Sequence, residues 1–66
     1  MDILLNGQPR QIAEASTLLD LLTAEGLNER RLAIEVNLEI IPRYQHADHR
    51  LKPGDRVEIV QAMGGG

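Results

Sequence analysis

Apolar and polar residues alternate at the start of the chain, with Met1, Ile3 and Leu5 falling on one side and Asp2 and Leu4 on the other. A period of two marks a half-buried strand, and here the spacing predicts one over 1–5. Asn6-Gly7 follows at once. Both central positions of a type I′ turn need positive φ, which Asn and Gly tolerate best, so the chain is expected to open with a β-hairpin. The returning arm, 8–12, carries Pro9 among polar residues. Proline has no N–H to give to a ladder, which places this arm at a sheet edge.

The period then changes. Leu18, Leu19, Leu21 and Leu22 recur at helical spacing and predict an apolar stripe on a helix over 17–25. Thr17 and Asp20 occupy the two positions of a capping box, with Asp in the place of the usual Glu or Gln, and Gly26 suits a left-handed C-terminal cap. Alternation returns over 32–37 with Ile34 and Val36 inward, Ile40-Ile41 forms a short extended piece that Pro42 ends, and 44–48 is an irregular or single-turn connection. Lys52-Pro53-Gly54-Asp55 puts Pro and Gly at the central positions of a type II turn. A last strand over 56–61 turns Val57 and Ile59 to the core.

One helix among four to five short strands calls for an α+β fold in which the helix packs on one face of a mixed sheet. The first and last strands are too far apart in sequence for a hairpin. Pairing them in parallel at the sheet centre lets the helix cover both, which is the β-grasp, ubiquitin-like architecture. The expected organisation is a β-grasp domain over 1–61 and a flexible C-terminal tail over 62–66.

Size narrows the function. The chain has 66 residues, and a domain of that length buries only about 60% of the surface its unfolded chain exposes. A substrate pocket of roughly 300–1,000 Å³ would hollow out its one core, so the expectation is a protein without turnover of its own. With no cysteine there is no disulfide, thiolate nucleophile or Cys-based zinc site, which suits a reducing compartment. The first residues lack the basic region of a leader, and no run approaches the some 18 apolar residues of a membrane span. A cytoplasmic location with no membrane contact is expected. The formal net charge of −3 and the single aromatic residue, Tyr44, offer neither the basic footprint nor the stacking platform of a nucleic-acid binder. Proteins with basic docking surfaces are the expected partners.

Candidate chemistry is sparse in the body of the chain. His46 and His49 stand three apart, but Asp48 is the only nearby carboxylate and a metal site needs three or four ligands, so they read as solvated loop histidines with no metal. Arg30-Arg31 with Arg43, Arg50, Lys52 and Arg56 form no Gly-rich phosphate cradle and read as a surface balancing ten acidic residues. Leu4 and Val60 are more pointed, since strand alternation turns both away from the helix on the central strands. They are expected to form an exposed apolar patch near the root of the tail, a docking face for partners to which Met63 adds.

The tail is the strongest candidate. The sequence ends Gly64-Gly65-Gly66. Lacking Cβ atoms, such a run can thread extended into a channel too narrow for other residues and deliver the carboxylate of Gly66 to chemistry in another protein. Five residues span at most about 16–18 Å. A carboxylate is a poor electrophile, so a terminus that is to carry sulfur must first be activated, and adenylation supplies AMP as a leaving group for a sulfur nucleophile.

Across its full length the chain resembles the ThiS family, the bacterial sulfur carriers of thiamine biosynthesis. The resemblance rests on the start Met1-Asp2-Ile3-Leu4-Leu5-Asn6-Gly7, on Thr17-Leu18-Leu19-Asp20-Leu21-Leu22, on Ala33-Ile34-Glu35-Val36-Asn37 followed by Ile41-Pro42-Arg43, and on Gly54-Asp55-Arg56-Val57-Glu58-Ile59-Val60-Gln61 leading to Gly65-Gly66. It implies that Gly66 is adenylated by an E1-like enzyme of the ThiF type, using ATP and Mg bound by that partner. It further implies conversion to a thiocarboxylate with sulfur of persulfide origin, and donation of that sulfur at a thiazole synthase of the ThiG type. Gly64 and Gly65 would be the tail residues entering partner active sites. Gly64 is an additional glycine where relatives often carry another small residue, which should loosen the tail. The alternatives are a molybdopterin-type sulfur carrier, which is usually longer and ends differently, and a ubiquitin-like protein modifier.

Overall fold

A computed structural model describes residues 1–27 and 32–61. In chain order its elements are β1 (Asp2–Leu5), β2 (Gln8–Gln11), α1 (Leu18–Ala24), β3 (Leu32–Val36), β4 (Glu39–Ile40), a 3₁₀ turn (Arg43–Gln45) and β5 (Arg56–Gln61). The sheet runs β2-β1-β5-β3-β4, with β1 and β5 parallel at its centre and the other neighbours antiparallel. This is the β-grasp arrangement, and the edge position of β2 is the one Pro9 requires.

One face of the sheet is closed by the helix. Ile3, Leu5, Ile34, Val36 and Val57 from the strands meet Leu18, Leu21 and Leu22 from α1, and Leu51 seals the side. Leu18 and Val57 are wholly buried, and each such side chain contributes about 1.5–3 kcal/mol over its exposed state. Leu19 corrects the expected stripe. It is 39% exposed, because a helix of seven residues turns only three of its four leucines toward a single sheet.

Short as it is, α1 is capped at both ends. The Asp20 N–H donates to Thr17 Oγ1 at 3.1 Å while the Thr17 N–H donates to the Asp20 carboxylate at 2.9 Å, completing the capping box. The N–H groups of Leu18 and Leu19 donate to the carbonyls of His49 and His46, at 3.0 and 3.1 Å. At the other end Gly26 takes φ +73, and the N–H groups of Gly26 and Leu27 return to Thr23 and Leu22. This is a Schellman motif, which needs a left-handed residue where glycine now stands. Arg10 on β2 adds a paired contact to Glu25, at 2.7 and 3.2 Å.

His46 is a second correction, for it is buried rather than solvated. Its Nε2 lies 3.0 Å from the Ile41 carbonyl, an acceptor only, so the ring nitrogen donates. The ring thereby ties the 3₁₀ turn to the exit of β4, and its own carbonyl meets α1. The turn over 52–55 forms as expected, with Gly54 at φ +85 and the Asp55 N–H donating to the Lys52 carbonyl at 3.1 Å.

Candidate functional site

β5 is the element that leads toward the tail, so the site is built around it. On one side it pairs antiparallel with β3 from Val36↔Val57 to Leu32↔Gln61. On the other it pairs parallel with β1 only at Leu4↔Arg56 and Leu5↔Val57. Beyond Val57 the strand therefore runs past the end of β1.

Two asparagines extend these ladders. Asn6 opens the β1–β2 turn with φ +50, and Asn37 opens the β3–β4 turn with φ +53. The Asn6 N–H donates to the Val57 carbonyl at 2.8 Å, as the next parallel rung requires. In a continued parallel ladder the reciprocal bond would run from the Ile59 N–H to the Asn6 main-chain carbonyl. The Asn6 side-chain Oδ1 takes its place, accepting from the Ile59 N–H at 2.7 Å. Asn37 repeats the device on the opposite side. Its N–H donates to the Arg56 carbonyl at 2.8 Å, its Oδ1 accepts from the Arg56 N–H at 3.0 Å, and its Nδ2 donates to the Asp55 carboxylate at 3.0 Å.

Opposite the helix, the described residues leave the sheet uncovered. Register puts Leu4 beside Arg56, Val60 beside Ala33, and Glu58 beside Glu35, which in turn faces Ile40. Val60 is 62% and Ile40 71% exposed, while Leu4 is half-buried. Leu4 and Val60 share this face but not one patch. Leu4 lies level with Arg56, and Val60 is roughly 13 Å further along β5 at about 3.3 Å per residue. Alternation assigns the face correctly, but the offset between parallel strands is set by tertiary pairing and cannot be read from either strand alone. Ile40 was expected in a short extended piece, as β4 bears out, but not on this face, because the turn preceding it, Asn37-Leu38, lacks the glycine that announces such turns.

Met63, Gly64, Gly65 and Gly66 lie outside the described residues, as do Arg30 and Arg31. Arg43, Arg50, Lys52 and Arg56 are exposed. Among the described residues no group of three or more His, Cys, Asp or Glu side chains could hold a metal ion, and no helix is long and apolar enough to cross a membrane.

Comparison with known proteins decides what this scaffold belongs to. The ThiS family model matches residues 3–66. The chain belongs to the ThiS family. It is 35% identical over 66 residues to the sulfur carrier protein ThiS of Escherichia coli, covering 100% of both chains. A thiazole synthase of Paramagnetospirillum magneticum is 38% identical over 66 residues, and there the chain spans 20% of the longer protein. The crystal structure of the thiamine biosynthesis protein ThiS from Geobacter metallireducens superposes with a TM-score of 0.86 at 32% identity over 100% of both chains. The fold is thus that of the ThiS sulfur carriers of thiamine biosynthesis.

Proposed function

We propose that this chain carries sulfur on the carboxylate of Gly66 and acts only through partner enzymes. The reading is carried by the match along the whole of a protein named as a sulfur carrier, joined to the glycine run at 64–66. An E1-like adenylating enzyme of the ThiF type binds ATP and Mg. The Gly66 carboxylate attacks the α-phosphorus, pyrophosphate leaves, and a sulfur nucleophile displaces AMP from the acyl carbon. A persulfide is the proposed source of that sulfur in the cytoplasm: its outer sulfur displaces AMP to give an acyl disulfide, a second thiol attacks the donor's sulfur to form a disulfide and release the thiocarboxylate, and a thiazole synthase of the ThiG type receives the sulfur. The thiazole synthase that contains a region similar to this chain supports the second partner.

Val60, Leu4 and Met63 are the proposed docking residues. The Glu35–Glu58 pair beside Val60 sets like charges directly across neighbouring strands, an arrangement that is unfavourable in isolation and suits a basic partner surface.

The test is thiocarboxylate yield by intact mass, with the chain, an activating enzyme, ATP, Mg and a sulfide source. The parent is expected to exchange one oxygen for sulfur, and to remain unchanged when the enzyme is left out. Removing Gly66 shortens the tail by about 3.3–3.6 Å and is expected to abolish transfer. Gly65→Val adds a branched side chain where an extended glycine threads a channel and should stop adenylation. A truncated chain that still gains sulfur at the parent rate refutes the proposal.

A further inference from the structure

We infer that Asn6 is a positioning residue for the sulfur-carrying tail, fixing through its side chain the direction in which β5 delivers residues 62–66. The inference rests on the carrier reading above and adds a residue to it. The last main-chain pairing of β1 with β5 is Leu5↔Val57. From Glu58 to Gln61 the strand is held by β3 alone, and among the described residues the one hydrogen bond reaching this stretch from the β1 side is that from the Ile59 N–H to Asn6 Oδ1.

A two-stranded ribbon twists more freely than a three-stranded sheet. The Asn6 bond turns the end of β5 from the former toward the latter. Leverage matters once a partner's channel holds the tail extended, since a swing of about 10° at the end of β5 would then move the tip of five extended residues by about 3 Å, given a reach of about 16–18 Å. Misplacing a reacting group by about 1 Å can cost on the order of a hundredfold in rate. Asn suits the position twice over, because it tolerates the positive φ of the turn and presents a side-chain carbonyl where a continued ladder would use the main-chain one.

Asn37 supplies the internal control. It makes the same kind of bond to the same strand, but to Arg56 at the far end, where little leverage over the tail remains.

The experiment compares Asn6→Gly, Asn6→Asp and Asn37→Gly. Glycine keeps each turn's φ and deletes only the side-chain bonds, while Asp keeps the oxygen acceptor. Amide exchange at Ile59, melting temperature, the dissociation constant for the activating enzyme and the adenylation rate at saturation are measured on each. For Asn6→Gly we expect at least tenfold faster exchange at Ile59, a dissociation constant within about twofold of the parent, and a saturating rate lower by about tenfold or more. Asn6→Asp should restore most of both losses. Asn37→Gly should lower the melting temperature comparably and leave the rate near that of the parent. A parent rate in Asn6→Gly, or a rate that falls equally in Asn37→Gly, overturns the positioning role. A parent chain that is itself never adenylated overturns the carrier reading and this role with it, and the parent's own rate distinguishes that failure from the other.

Discussion

Leu38 occupies the second position of a two-residue hairpin turn with φ +72 and is 83% exposed. A left-handed backbone brings an L residue's Cβ against the following carbonyl at a cost of about 1–2 kcal/mol, which burial of so exposed a side chain does little to offset. Glycine removes that clash but gives the unfolded chain more freedom, worth about 0.4–1 kcal/mol in the other direction. Leu38→Gly is therefore expected to raise stability by roughly 0.5–1 kcal/mol, read from the urea midpoint at constant slope. A lower midpoint would show that Leu38 gains more from its surroundings than its exposure indicates. The same residue explains an incomplete sequence reading. Asn6-Gly7 declares its turn through residue chemistry, whereas Asn37-Leu38 does so only at its first position, and the alternation over 32–36 runs into Asn37 without a break.

Helix α1 has seven residues, too few to persist alone when isolated helices shorter than about 12–15 residues are marginal in water. Its stability comes from packing and from its ends. The capping box and Schellman motif are local, and both were legible in Thr17, Asp20 and Gly26. The carbonyls of His46 and His49 that receive the Leu18 and Leu19 N–H groups were not, since they come from a segment far along the chain whose placement depends on the fold. Burial of His46 was hidden for the same reason, because a histidine in a polar stretch carries no local sign that its ring closes a turn against the core. Thr17→Ala removes the acceptor for the Asp20 N–H and is expected to cost about 1 kcal/mol, within a usual range of about 0.5–2 kcal/mol. Thr17→Ser keeps the hydroxyl and should recover most of it. Equal losses in the two variants, compared by denaturant unfolding, would place the effect in the threonine methyl group and not in the cap.

As a whole the molecule divides its labour between its faces. The helix side holds the core, a face completed by Leu51 and nearly filled by aliphatic side chains, and the described residues leave the opposite side of the sheet open. This division was legible because strand alternation and one amphipathic helix determine which side is covered. How residues on different strands line up across the uncovered side was not, and the separation of Leu4 from Val60 follows from the parallel register at Leu4↔Arg56. Val60 is the more informative residue to change, since it is 62% exposed and lies one residue before the end of β5, where the proposed docking face comes nearest the tail. Val60→Asp places a charge where an apolar anchor would be desolvated, next to Glu58 and across from Ala33. Anchors of this kind are commonly worth about 2 kcal/mol or more, so the dissociation constant for the activating enzyme should rise at least about tenfold. The melting temperature should move little, because the side chain has little burial to lose. Tyr44→Ala serves as the control, removing another exposed large side chain, 79% exposed, from the 3₁₀ turn outside the sheet, and should bind as the parent does. If Val60→Asp binds with an unchanged dissociation constant while Tyr44→Ala weakens, partners dock beside the 3₁₀ turn and not on the open face of the sheet.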